Sequence, residues 1–143
     1  MDSALASPAS LPVVTMRAMI VAHDPGFHAL VDPTAVVATL VVGPEFMEGP
    51  VWLPAAGVVI FGDIPGDTSY RWSERERLAV HRRPTGKASG MTLDLAGHVI
   101  VCEDATSAQS RLEHDGSRVV LAEAYGGVGL ASPTAWTQPG PGR

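Results

Sequence analysis

The chain has 143 residues, a formal net charge of −5 and 45% hydrophobic residues. This length suits one ordinary domain, and this hydrophobic content is enough for a core, which excludes wholesale disorder. The acidic balance and the lack of a basic stripe argue against nucleic acid as a partner. The amino-terminal segment has no basic region and is interrupted by prolines, so it predicts neither a signal peptide nor a membrane span.

The amino-terminal quarter divides into two predicted segments. Residues 1–22 are predicted to be a disordered or mis-assigned extension, with Met1, Met16 and Met19 as alternative starts. Residues 23–47 are predicted to be a lead-in, with a helical turn at 27–31 and then a strand at 36–42 rich in β-branched residues.

Two similar units follow, at about 48–88 and 89–129, with a spacing of 40 to 41 residues. Four apolar runs of strand length, two in each unit, are bounded by Gly, Pro or Asp-Gly signals, and each unit is predicted to contain about four short strands. The predicted third strands are 69–72 and 109–113, and the predicted fourth strands are 78–82 and 118–122. A repeat of this length with four strands is typical of a β-propeller blade. Residues 137–143 are predicted to be a disordered tail, which leaves a propeller domain at 48–136.

Cys102 is the single cysteine, so the chain can form neither an intrachain disulfide nor a cysteine-rich zinc site. It follows the apolar run 99–101, which predicts a small buried hydrophobic residue. One unpaired cysteine fits a reducing compartment, and we expect a cytoplasmic protein.

Four segments carry a resemblance to a known family: FMEGPVW (46–52), VVIFGDIPGDTSYRW (58–72), RRPTGKASGMTLDLAGHVIVCED (82–104) and RLEHDGSRVVLAEAYGG (111–127). They resemble the senescence marker protein, gluconolactonase and luciferin-regenerating enzyme family, above all its bacterial gluconolactonase-like members. The resemblance runs from about Pro25 to Pro133. It implies the amino-terminal portion of a six-bladed β-propeller of roughly twice this length. The predicted fold is therefore all-β, a truncated propeller of about two four-stranded blades plus a leading strand.

The resemblance also implies a chemistry. Members of this family hydrolyse sugar lactones with one divalent cation, Ca²⁺ or Zn²⁺, in the central channel. The cation polarises the lactone carbonyl and activates or orients a water. The glutamate of the Glu-Gly-Pro motif is a metal ligand in the family, which assigns this role to Glu48.

The remaining ligands of the family, an Asn and an Asp, come from later blades. The stretch 131–135, ASPTA, lacks the asparagines and the Asp of the motif that opens the third blade. We therefore expect a truncation or a shifted reading frame, a cation that this chain does not hold stably, and weak or no activity alone. Whether the chain itself is an enzyme stays open at this point.

No catalytic or substrate-binding residue is assigned from the sequence. Asp63 and Glu103 occupy equivalent positions at strand ends; they either line the channel or cap a turn, and capping is the preferred interpretation. Trp52 and Trp72 are predicted to pack inside a blade. The five histidines are scattered, with no pair at metal or catalytic spacing.

Two alternatives to a lactone hydrolase stay open. In the first, the chain is a non-enzymatic propeller fragment that acts as a binding module or persists as a gene remnant. In the second, three copies close a six-bladed ring in which the Glu48 side chains converge. The expected partners are a small lactone and, through the open blade edges, other copies of the chain. Neither nucleic acid nor a membrane is expected.

Overall fold

The computed structural model describes residues 15–16, for which only the backbone is described, together with 20–32 and 34–131. The predicted tail at 137–143 and most of the predicted extension at 1–22 lie outside these residues. The chain divides into two compact units, 1–43 and 44–143. Among the described residues, no helix combines the length and hydrophobicity needed to cross a bilayer.

The first unit contains one short helix and one pair of strands. A 3-10 helix, Pro25–Ala29, starts after Asp24, whose side chain accepts the amide of Gly26 at 2.7 Å. The predicted turn thus begins earlier than expected, because Asp24 and Pro25 form an N-cap followed by a proline in the first turn. β1 (Thr15–Met16) pairs antiparallel with β2 (Val37–Ala38). Of the strand predicted at 36–42, only Val37–Ala38 forms a strand among the described residues.

The second unit holds two four-stranded antiparallel sheets. The first sheet, in spatial order, is β3 (Met47–Leu53), β4 (Val58–Asp63), β5 (Thr68–Ser73) and β6 (Arg77–Arg82). The second sheet is β7 (Ala88–Leu93), β8 (Val99–Glu103), β9 (Ala108–Leu112) and β10 (Arg118–Ala122). A two-stranded hairpin follows, β11 (Ala124–Tyr125) and β12 (Val128–Gly129). The predicted third and fourth strands of both units are confirmed.

The 40-residue repeat is preserved in the strand register. Across the first sheet, one row of paired residues runs Trp52, Val59, Trp72, Leu78. The row at the same place in the second sheet runs Leu93, Val99, Leu112, Arg118. β3 and β7 are the edge strands at which the two sheets approach each other, and they are called the innermost strands below. Both carry a bulge near their start, in β3 between Glu48 and Val51 and in β7 between Ala88 and Met91.

The core lies between the two sheets. Val58 and Ile60 of the first sheet form one buried cluster with Val99 and Val101 of the second. Partly buried side chains complete it: Val51, Leu53, Met91, Leu93 and Leu112. Because side chains alternate along a strand, Trp52 lies on the opposite face of the first sheet, where it is 55% exposed. The prediction that Trp52 packs inside the blade is thus wrong for this structure, because its neighbours Val51 and Leu53 face the second sheet and Trp52, between them, faces away.

Candidate functional site

Glu48 lies near the start of β3, the innermost strand of the first sheet. The bulge that follows it interrupts pairing with β4, and its side chain is half-buried. Within the part of the chain that the structure describes, its carboxylate makes no hydrogen bond or ion pair. A half-buried carboxylate without a partner has incomplete solvation, which suits it to accept an external ligand.

Gly49 explains the shape of the chain beside Glu48. Its φ is +59°, and a Cβ at this position would overlap the carbonyl oxygen of Ser89 and lie 2.9 Å from the amide nitrogen of Met91. Only glycine permits both the left-handed conformation and this approach of β3 to β7. The Glu-Gly-Pro motif therefore sets the distance between the two innermost strands as well as presenting Glu48.

Ser89 occupies, in the second sheet, the repeat position of Glu48. It is fully buried, and its hydroxyl lies 3.2 Å from an Asp104 carboxylate oxygen and 3.4 Å from the carbonyl of Cys102. A substrate cannot reach a fully buried hydroxyl, so this pair is structural. The second sheet consequently supplies no second carboxylate at the position that corresponds to Glu48.

The described residues do not form a metal site by themselves. Among them, no three His, Cys, Asp or Glu side chains are placed to hold one ion. Calcium takes about six to eight oxygen ligands, and catalytic zinc about three protein ligands. Glu48 offers one carboxylate, which does not fit a cation held by this part of the chain alone.

The two equivalent acids predicted at strand ends are both buried, with different partners. Asp63 is 5% exposed and accepts the amides of Glu45 at 3.2 Å and Phe46 at 3.1 Å. It therefore fixes the segment that leads into β3, in line with the capping interpretation.

Glu103 instead joins three strands of the second sheet. It is 2% exposed, and the Arg118 guanidinium donates to both carboxylate oxygens at 2.6 Å. The hydroxyls of Ser110 and Thr106 also donate to it. Neither the channel-lining nor the capping interpretation anticipates this ion pair.

Sequence reasoning missed a polar cluster at the opposite end of the second sheet. His98 lies 3.0 Å from Asp94 and 3.4 Å from Glu113, and its ring centroid is 4.4 Å from that of His114. The β7–β8 and β9–β10 turns bring these residues together, so the repeat could have revealed that they share one end of the sheet.

Cys102 is buried as predicted, and burial, together with the charge of Asp104, raises the pKa of its thiol.

Asp67 holds the connection between the two sheets. One of its oxygens accepts the amides of Thr85 at 3.0 Å and Lys87 at 2.7 Å, and the Thr85 hydroxyl at 2.9 Å. Burial alone would raise the pKa of this carboxyl, but these hydrogen bonds outweigh it and lower the pKa. The bonds fix the residues that enter β7, which lies against Gly49.

Replacing Asp67 by alanine is expected to lower the free energy of unfolding by about 2 kcal/mol, since three donors lose a charged acceptor. The Asp67→Asn variant should lose less, because asparagine keeps one acceptor oxygen and tolerates the left-handed φ of +46° found here. Urea denaturation checks this. Asp115→Ala is the control, because Asp115 accepts the amide of Ser117, two residues away, at an exposed turn. Equal losses in the two alanine variants would contradict the role of Asp67.

Two stacked four-stranded meanders with a 40-residue repeat define an all-β chain that forms two blades of a β-propeller. Comparison with known proteins agrees with this class. No family model matches the chain. It is 22% identical to the gluconolactonase of Zymomonas mobilis over a match that covers 80% of this chain and 36% of that protein.

Solved structures show the same relationship. The Xanthomonas campestris gluconolactonase superposes with a TM-score of 0.74 at 25% identity, covering 86% of this chain and 41% of its own. A second structure, described provisionally as a gluconolactonase, gives a TM-score of 0.63 at 31% identity over 66% of this chain and 33% of its own. Virginiamycin B lyase from Staphylococcus aureus, at 16% identity and a TM-score of 0.50, shares the fold alone.

The resemblance to gluconolactonases inferred from the sequence is thus confirmed. The chain spans between about a third and two fifths of the length of these gluconolactonases. The comparisons leave the assignment of Glu48 as a metal ligand a prediction.

Proposed function

We propose that the chain forms the part of a sugar-lactone hydrolase of the gluconolactonase type that presents Glu48 to a divalent cation. The observation that carries this proposal is the half-buried Glu48 carboxylate, which has no partner among the described residues and lies on the innermost strand of a gluconolactonase-like fold. A divalent cation, when bound in such a site, polarises the lactone carbonyl.

The described residues contribute three elements to this function. Glu48 offers one oxygen ligand, Gly49 allows β3 to approach β7, and Asp67 fixes the connection into β7. Because the described residues include no group of three candidate ligands, the other ligands come from outside the two sheets. On this proposal the chain alone hydrolyses lactones at less than about 1% of the rate of a gluconolactonase, since one carboxylate does not hold a cation that needs about three protein ligands, as zinc does, or about six to eight oxygens, as calcium does.

The test has two arms. The first measures hydrolysis of glucono-lactone by the full chain with added Ca²⁺, Zn²⁺ or Mn²⁺, beside the Xanthomonas gluconolactonase. The second replaces the matched segment of that enzyme with residues 44–131 of this chain and compares the chimera with its Glu48→Gln variant. The Glu48→Gln change should reduce kcat/KM by about 100-fold, because the amide is a poorer ligand for a hard cation.

Glu74→Gln in the same chimera is the matched control, because the Glu74 side chain is 88% exposed on the β5–β6 turn. It should leave kcat/KM unchanged. Thermal denaturation establishes that each chimera is folded. An active chimera that keeps its full rate after Glu48→Gln rules out the role proposed for Glu48, and full turnover by the intact chain rules out its dependence on further ligands.

A further inference from the structure

The outward faces of the two sheets repeat the two faces that already pack together. Toward the second sheet, the first sheet presents the row Val51, Ile60, Arg71, Ala79. The same positions, 40 or 41 residues later, form the row Thr92, Ile100, Arg111, Val119 on the outward face of the second sheet.

In the same way, the outward face of the first sheet corresponds to the face of the second sheet that packs inward. The second sheet packs its row Leu93, Val99, Leu112, Arg118 toward the first. The equivalent row of the first sheet is Trp52, Val59, Trp72, Leu78, which lies on its outward face. The outward faces therefore repeat the positions of the packed interface, with Trp52 in place of Leu93 and Leu78 in place of Arg118 on the first sheet.

Both outward faces expose apolar side chains toward their rims. Trp52 and Val80 on the first sheet are each 55% exposed, and Val119 on the second is 41% exposed. Phe61 and Ile100 in the middle of these faces are already buried. A partner that continues the stack consequently gains most of its contact at Trp52 on one side and along β10 on the other. Large aromatic side chains such as Trp52 are the residues that most often dominate such interfaces.

We infer that the chain associates head to tail with itself, the outward face of the first sheet docking on the outward face of the second sheet of another copy. This contact joins two different surfaces, so it generates a ring where the rotation closes. The match that covers 66% of this chain spans 33% of a solved gluconolactonase, so three copies supply the same extent of sheet. The expected assembly is a closed ring of three chains, independent of any lactone hydrolysis.

Sedimentation equilibrium of the full chain tests this inference. The expected mass is three times the 14.9 kDa of one chain at concentrations of tens of micromolar. The Trp52→Glu variant should weaken association by about 30-fold or more, as expected for loss of a large aromatic contact and burial of a charge in its place. Tyr125→Glu is the matched control, because Tyr125 is 87% exposed on β11 and lies on neither outward face; it should leave the trimer intact.

A second variant tests the other face and keeps the experiment decisive where Trp52→Glu fails to fold. Val119→Glu should also give a monomer. Since each variant retains the face that the other has lost, mixing the two should produce a one-to-one dimer. A monomeric wild-type chain, an open-ended polymer, or folded variants that keep the trimer or do not pair with each other overturn the inference.

Discussion

Replacing Gly49 by alanine is expected to lower the free energy of unfolding by about 3 kcal/mol or more, among the largest effects of any single change in the chain. A Cβ there would overlap the Ser89 carbonyl oxygen and crowd the Met91 amide, both of which are backbone atoms of β7. Backbone cannot rotate aside as a flexible side chain can, so β3 and β7 must separate. Urea denaturation followed by tryptophan fluorescence measures the loss.

Gly57→Ala is the control that separates crowding from backbone strain. Gly57 has nearly the same conformation, with φ at +64°, but no atom lies within 4 Å of the place that a Cβ would occupy. Its replacement should cost only the left-handed strain, about 1 kcal/mol. Equal losses at the two positions would show that the approach of β3 to β7 contributes nothing. The Gly49→Ala variant of the chimera should also lose lactone hydrolysis, because Glu48 is carried by the strand that moves.

The second large effect is expected at Glu103, which is 2% exposed and pairs with Arg118, whose side chain is 30% exposed. Replacing Glu103 by glutamine should lower the free energy of unfolding by about 3 kcal/mol, because a buried charged acceptor of several hydrogen bonds is lost. The matched control is Glu74→Gln, whose side chain is 88% exposed and 3.9 Å from Arg77. An exposed pair of this kind contributes less than about 1 kcal/mol.

The same pair predicts a dependence on pH. Burial would raise the pKa of the Glu103 carboxyl, but hydrogen bonds from Arg118, Ser110 and Thr106 outweigh burial and lower the pKa below its ordinary value. The unfolded chain therefore takes up this proton at a higher pH than the folded chain does. The ordinary pKa of glutamate, which applies to the unfolded chain, is about 4.3. The stabilisation is fully present above this pH and is lost as pH falls through the lower pKa of the folded state.

Denaturation of the wild type and Glu103→Gln between about pH 7 and pH 3 checks this sign. The difference in the free energy of unfolding should be largest near neutral pH and should shrink on acidification. A difference that stays constant over this range would mean that the glutamine variant is destabilised by packing and not by loss of the ion pair.

Much of the fold could be predicted because its signals are local. The β-branched runs, the Gly and Asp-Gly turns and the spacing of 40 to 41 residues predict two four-stranded units, and the sheets confirm them. The face of the first sheet on which Trp52 lies could not be predicted in the same way. Alternation along β3 is visible in the sequence, but which of its two faces meets the second sheet depends on how the sheets stack.

In the candidate site, too, local features could be predicted and contacts between the sheets could not. The Glu-Gly-Pro motif and its family resemblance single out Glu48, and one cysteine in an apolar run predicts a buried Cys102. The role of Gly49 could not be predicted, because the atoms that exclude a side chain belong to Ser89 and Met91, which lie in the other sheet. The clamp of Asp67 on Thr85 and Lys87 joins residues 18 to 20 apart.

By itself, the sequence determined the class of fold and the repeat, since these depend on residue type and short spacing, whereas the role of Glu48 as a metal ligand is implied by the family resemblance and stays a prediction. Only the tertiary structure decided which acids are available. Glu103 forms an ion pair with Arg118 across the second sheet. Asp63 accepts hydrogen bonds from backbone amides. Glu48 lies beside a bulge, and its carboxylate has no partner among the described residues. Pairing across strands is set by register and stacking, and these follow from burial of the whole core and not from any one segment.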